Sequence, residues 1–449
     1  MTAEPVNGVP LAQRLRGVRQ NEDVRRLATC LLAGFMLAVI TGPEGREGQP
    51  TYAITQALRP GRLTVCLLIG VALWGSLTAW SHYGETVQRQ AAPRRERFRE
   101  LSRLRPVRYG WYAALLAFAI LFPLTLGGFW QEVLVDQIGI FALLAIGLNV
   151  VVGFAGLLDL GYIAFYAIGA YTTAYFTGTL PVQPPFVLNP FYAIPLAVAA
   201  AMLAGFVLGA PTLRLRGDYL AIVTLGFGEI VQISAVNLDS ITNGSRGAFG
   251  IPPFSIHIGS LHYTWSLKNL PYYYLLLGFT VMILILFTLL ENSRVGRAWT
   301  AIREDEVAAQ ACGIPTVKYK LMAFAIGAST SGFAGTLYAS KITYFNPSNF
   351  ALTLSILVLA MVVFGGMGSL WGSIAGAAVL AWFPQFLEKH PFVPPEDKFV
   401  YFGALLIIMM IFRPQGVIPS RRRAREIGLA EAGVGAADAL GVTPGRLDS

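Results

Sequence analysis

The chain has 449 residues, of which 55% are hydrophobic and 13% charged. A soluble domain carries about 25% charged residues, so this composition excludes a soluble enzyme: too few charges are present to cover a water-facing surface. The net charge of +9 would suggest nucleic acid in a soluble chain, but here the Lys and Arg fall between apolar runs, on alternate sides.

About 20 apolar residues cross a hydrocarbon core, and backbone groups in lipid must bond within their own segment, so each long apolar run predicts a helix. The expected fold class is all-α, a polytopic transmembrane bundle of about 12 helices, with some of the glycine-interrupted ones broken or re-entrant. A cytoplasmic N-tail, 1–26, precedes a helix pair in 27–83, with runs at 27–42 and 63–80. The first run follows arginines, as a signal peptide does, but the tail before it is long and no small-residue cleavage site stands out near Thr41. An Arg-rich cytoplasmic linker, 84–109, separates the pair from a body at 110–415. The body carries runs at 111–128, 138–155, 161–178, 192–210, 219–236, 272–290, 321–340, 352–368, 371–387 and 399–412. A cytoplasmic C-tail, 416–449, has no sustained apolar face beyond Arg425 and is expected to be mobile.

Counted from a cytoplasmic N-terminus, 25 Lys and Arg fall on one side and 8 on the other, with Arg446 in the distal tail. Cytoplasmic loops retain positive charge, so both termini, the linker and the loop 291–320 are expected in the cytoplasm. Cys30 and Cys66 lie in apolar stretches and Cys312 in a charged loop, which gives neither a disulfide framework nor a metal-ligand spacing. There is no Walker-type phosphate loop and no HExxH motif, and His82, His257, His262 and His390 fall in loops or at helix ends. No catalytic residue, metal ligand or nucleic-acid partner is expected.

Within the body, Gly153 to Gly161 and Gly365 to Gly372 each gather glycines at a helix break. Such breaks either open backbone groups to a cavity or allow close helix crossing, and both readings stand. Asp159 falls where two runs meet near the cytoplasmic face, which fits a solvated side chain or a gate. Tyr162, Phe165 and Tyr166 follow at helical spacing, as pathway lining or as packing. Glu229 is the charge that lies clearly mid-span; an intramembrane carboxylate is costly, so it either holds a packing site or meets the ammonium group of a substrate.

The loop from Ser293 to Pro315 is the segment that lipid packing does not explain. Ser293 can cap a helix in which Val295, Trp299 and Ile302 form one apolar stripe. Glu304, Asp305 and Glu306 suit the positive end of a second short helix, which Gly313 and Pro315 terminate. Two short amphipathic cytoplasmic helices either lie on the headgroups or dock a partner.

The loop resembles the coupling motif of ABC importer permeases, a Glu-Ala-Ala followed by three residues and Gly, here Glu306, Ala308, Ala309 and Gly313, with Val307 inserted after the glutamate. Further motifs extend the resemblance over 110–415. They are Gly153-Phe-Ala-Gly-Leu-Leu-Asp-Leu-Gly161, Gly169-Ala-Tyr171, the stretch Arg214 to Leu225 with Glu229, Thr242-Asn-Gly244, and Gly365-Gly-Met-Gly-Ser-Leu-Trp-Gly372. Together they are similar to the M-type permease subunit of branched-chain amino acid importers. The N-terminal helix pair resembles an extension found on some members.

The resemblance implies ATPase coupling through Arg303, Glu304, Asp305, Glu306, Ala308, Ala309 and Gly313, and a translocation pathway that includes Asp159, Tyr162, Tyr166, Thr224 and Glu229. Bulky residues at Ala309 or Gly313 are expected to block docking while the protein stays folded, with a smaller effect at the displaced Glu306. The implied assembly sits in the bacterial inner membrane. It contains a homologous second permease subunit, two cytoplasmic ABC ATPase subunits that use the ATP, and a periplasmic or lipid-anchored substrate-binding protein; this chain binds lipid and no cofactor. A related urea or short-amide permease is the nearest alternative. A self-contained secondary transporter or channel is the alternative from another class, and it is expected to carry more ionisable residues in its helices.

Overall fold

The structure is a computed structural model that describes residues 105–212, 218–258, 261–265, 268–389, 398–413 and 415–419. The N-tail, the first helix pair, nearly all of the Arg-rich linker and the C-tail beyond 419 lie outside the described residues.

Helices occupy each apolar run of the described body. In chain order they are α1 (Arg105–Leu121), α2 (Gly128–Phe154), α3 (Tyr162–Phe176), α4 (Pro190–Thr212), α5 (Asp218–Asn237) and α6 (Asn269–Glu291). The loop helices α7 (Arg294–Glu304) and α8 (Glu306–Ala311) follow, then α9 (Thr316–Ile342), α10 (Leu352–Gly365), α11 (Leu370–Lys389) and α12 (Lys398–Phe412). Six stretches among the described residues are long and apolar enough to span a bilayer: α2, α4, α6, most of α5 and α11, and α10 with the short turn before it. At 15 residues α3 is about 22 Å long, short of the roughly 30 Å hydrocarbon core, and most of its residues are buried. Two short antiparallel pairings accompany the helices, β1 (Ala248–Phe249) with β4 (Tyr344–Phe345), and the hairpin of β2 (Ser255–Ile258) and β3 (Leu261–Thr264).

The chain divides into two units. The described part of one is 105–119 with 398–404; the other holds residues 120–389 and 405–419.

In the larger unit, α9 is the central helix, packed on α3 and α4. Lipid offers no hydrophobic force between helices, so close backbone approach through small residues holds them together. On α4 the buried Ala193, Ala197, Ala201, Gly205 and Gly209 recur every fourth residue and form one smooth stripe. A Cβ at Gly205 would lie 2.6 Å from that of Ala328 on α9, and one at Gly332 would lie 2.9 Å from the Ala197 carbonyl oxygen. Hydroxyls tie the same helices: Thr173 Oγ1 donates to Thr336 Oγ1 at 2.9 Å, and Ser331 Oγ donates to the Tyr162 carbonyl at 3.3 Å. The chain after α12 also belongs to the body, because Val417 and Ile418 donate main-chain hydrogen bonds to the carbonyls of Phe364 and Gly365, both at 2.9 Å.

Candidate coupling and translocation site

The loop between α6 and α9 folds as two capped helices. Ser293 Oγ accepts from the main-chain nitrogens of Val295 and Gly296, and Asp305 Oδ1 accepts from those of Val307 and Ala308. These caps satisfy N–H groups that a helix start leaves without partners. Gly313 turns the chain out of α8 with a φ of +81°, in the region that favours glycine.

The apolar stripe of α7 faces the body. Trp299 is fully buried and its indole N–H donates to the Tyr319 carbonyl at 2.7 Å, with Ile302 buried beside it. Glu306 pairs with the nearly buried Lys320 of α9 at 2.6 Å, which fixes α8 to the same helix. Arg303 donates to the carbonyl of Gly153 at the end of α2, and its Cγ lies 2.8 Å from where a Cβ of Gly156 would be. The outer face of the pair stays open: Glu304, Asp305, Val307, Ala308 and Gly313 are exposed. Ala309 is the exception, with 4% exposure. An arginine there would strike the fold before it met a partner, so the expectation of an undisturbed fold is corrected for that position.

Arg303 leads to the first helix break. The last turn of α2, Asn149–Phe154, is π-helical, and Gly156 then takes a φ of +70°. Asp159 is fully buried, which overturns its expected solvation. Its Oδ1 accepts from the Gly161 nitrogen at 2.9 Å, whereas Oδ2 has no hydrogen-bond partner among the described residues. Thr224 on α5 completes the turn: Oγ1 accepts from the Leu160 nitrogen at 3.0 Å and donates to the Ala221 carbonyl at 3.0 Å. Gly161 rests on the Thr224 carbonyl with no room for a side chain. Helix packing therefore closes the break on every side that these contacts define.

Tyr162 and Tyr166, one turn apart on α3, are both buried. The Tyr162 hydroxyl donates to the Gly327 carbonyl at 3.1 Å, and the Tyr166 ring lies 5.4 Å from the rings of Tyr338 and Phe350. The structure thus brings Asp159, Tyr162 and Thr224 together around one break and sets Tyr166 in an aromatic cluster further along α3. Glu229 is half-buried on α5, five residues beyond Thr224, and hydrogen-bonds to none of these residues.

Several buried polar residues escaped the sequence reading. Asn149 Oδ1 accepts from the main-chain nitrogen of Gly368, inside the second glycine break, at 2.8 Å. Lys320, the last residue of the loop 291–320, is 4% exposed. Asp136 lies inside α2 and the 8% exposed Lys341 inside α9, so Glu229 is not the one charge within the helices. Helices that extend past their apolar runs hide this signal, since hydropathy alone ends each helix at its first charge.

The match to a known family covers the same region. Residues 132–412 match the family described as branched-chain amino acid transport system, permease component. The chain is 41% identical over 308 residues to the high-affinity branched-chain amino acid transport system permease protein LivM of Escherichia coli strain K12, across 63% of this chain and 68% of that one. It is 28% identical over 294 residues to LivH of the same strain, across 62% and 91%. With the probable LivM of Methanocaldococcus jannaschii it shares 24% over 324 residues, across 63% and 91%. No solved structure matches it. With a family match over more than half its length and a relative of this similarity, the chain belongs to the branched-chain amino acid transport permeases.

Proposed function

We propose that the chain is the membrane permease subunit of an ATP-driven importer of branched-chain amino acids, coupled through α7 and α8 to separate ATPase subunits. One observation carries the coupling role: Arg303 joins α7 to the end of α2, while the opposite face of the helix pair remains exposed. Movement of that face by closing ATPases reaches the break at Asp159, Tyr162 and Thr224 directly, and this break is assigned the gate. Tyr166 and Glu229 are assigned to the pathway beyond it. The ATP belongs to the partner subunits, and no cofactor is assigned to this chain.

The same reading places the chain in a bacterial inner membrane, with both termini and the coupling helices cytoplasmic, as the charge distribution favours. It pairs the chain with a homologous permease, because LivM and LivH of one organism are both similar to it. A substrate-binding protein on the outer side completes the assembly.

The test contrasts adjacent positions. Ala308→Arg on the exposed face should leave the permease folded while less ATPase co-purifies and leucine uptake falls. An uncoupled contact of this size costs about 1–3 kcal/mol, or roughly 5-fold to 150-fold in affinity. Undiminished co-purification and uptake for this variant, at normal membrane levels, would remove the coupling role from α8.

A further inference from the structure

At the end of α9 remote from the coupling helices, two opposite charges face each other inside the protein without forming a hydrogen bond. Lys341 lies 21 residues beyond Lys320 on the same helix, about 30 Å along its axis. Its ammonium group donates to Asn269 Oδ1 at 2.9 Å, lies 5.6 Å from the centre of the Tyr272 ring, and stands 4.0 Å from Asp136 Oδ1. That Oδ1 atom is buried and has no hydrogen-bond partner among the described residues. The Asp136 and Lys341 side chains are 15% and 6% exposed. A buried pair that serves only the fold closes to hydrogen-bond distance and satisfies its remaining lone pairs, since desolvated charge is otherwise costly.

The surroundings are equally specific. Asp136 belongs to a π-helical stretch, Val133–Gly139, an uncommon geometry that recurs at functional sites. Tyr272, under the Lys341 ammonium, donates its hydroxyl to the Leu337 carbonyl at 2.5 Å, and Tyr338 follows on the same turn of α9. Around Tyr338, the rings of Tyr166, Phe345 and Phe350 form a wall with neighbouring ring centres 5.4 to 6.5 Å apart. Tyr171 packs 4.9 Å from Phe345, and its buried hydroxyl has no hydrogen-bond partner among the described residues.

We propose that Asp136 and Lys341 form a binding site for the zwitterionic head of an α-amino acid, with the aromatic wall receiving its side chain. Lys341 takes the α-carboxylate and Asp136 takes the α-ammonium, so a ligand entering between them replaces one long ion pair with two charge-assisted hydrogen bonds. The wall of rings suits an aliphatic side chain and offers few polar anchors. The site rests on the amino acid permease reading above and gives that reading a point of chemical selection within this chain, separate from the gate at Asp159.

The experiment uses the full-length chain purified in detergent, with binding of tritiated leucine measured by equilibrium dialysis. The competitors are 4-methylpentanoate, which is leucine without its ammonium, and 3-methylbutylamine, which is leucine without its carboxylate. Asp136→Asn should weaken leucine binding roughly 10-fold or more, with competition by 4-methylpentanoate unchanged. Lys341→Gln should weaken leucine and 4-methylpentanoate and spare 3-methylbutylamine. A purely structural pair would show no such split, because a distorted fold treats all three ligands alike. Both variants are compared with wild type by gel-filtration profile, and Asp136→Glu, which keeps the charge, should retain the wild-type order of the three ligands. Cells that express the whole importer supply the second arm. If the wild-type importer takes up no leucine, the permease reading itself fails. If it takes up leucine while the purified chain binds none, or binds it with an unsplit competitor pattern in both variants, the site is overturned and the permease reading stands.

Discussion

Asn149 Oδ1, in the last turn of α2, accepts a hydrogen bond from the main-chain nitrogen of Gly368, 219 residues away in sequence, at 2.8 Å, so one side chain ties the turn that leads into the first glycine-rich break to the second break. Gly153, on the same turn, leaves room for this contact: a Cβ there would lie 2.6 Å from the Gly368 nitrogen. The second break also receives the chain after α12 through Val417 and Ile418. The breaks therefore form one connected region, with Arg303 of α7 bound at its edge.

Asn149→Ala removes the acceptor and leaves the Gly368 N–H without a partner. A fully buried donor left in this way costs about 1–3 kcal/mol; Gly368 is half-buried, so the loss falls toward the lower end and the variant should show a lower apparent Tm in detergent. Leucine uptake per folded complex should fall further than ATP hydrolysis, because the link between the breaks is lost while the ATPase contact is intact. An unchanged Tm together with unchanged uptake would show that the contact is dispensable.

Glu306 neutralises Lys320 at 2.6 Å. Whatever its part in docking, Glu306→Leu should loosen α8 by leaving a buried ammonium unpaired. The cost should stay below the roughly 3–5 kcal/mol of a fully buried pair, since Glu306 is 28% exposed. The double variant Glu306→Leu with Lys320→Met should regain stability relative to Glu306→Leu alone. Thermal unfolding of the four chains in a double-mutant cycle measures the coupling; additive effects would mean that the pair does not hold the helix.

Gly161→Ala should fail to accumulate in the membrane or should unfold readily, because the added methyl overlaps the Thr224 carbonyl. Gly226→Ala on α5 is the control, since nothing lies within 4 Å of a Cβ there. It should be neutral or stabilising by up to about 1 kcal/mol. Comparing the two variants by fluorescence-detected gel filtration separates lost packing from a general dislike of substitution at glycine.

Cys312 is exposed at the C-terminal end of α8. With Cys30 and Cys66 replaced by serine, a membrane-impermeant maleimide should label Cys312 in inverted vesicles and not in intact cells. Thr264→Cys, at an exposed position of the β2–β3 hairpin, should show the reverse pattern in a background without Cys312. External labelling of Cys312 in intact cells would invert the topology.

The sequence by itself determined the class and the helix positions in the described body. Long apolar runs in a chain with 13% charged residues leave the backbone no alternative to helices that bond internally. It also located α7 and α8, because caps at Ser293 and Asp305 and the stop at Gly313 are local chemistry that neighbouring residues complete. Tertiary structure decided which faces met. Solvation of Asp159 followed from its place in the chain, and burial followed from α5 lying over it. Ala308 and Ala309 are indistinguishable in sequence, yet one faces outward and the other inward because Glu306 and Lys320 fix the rotation of α8. Read along the chain, Asp136 stands just before one apolar run and Lys341 just after another. Their opposition required α2 and α9 to be packed side by side, since electrostatic contact depends on distance in space, which hydropathy along the chain does not record.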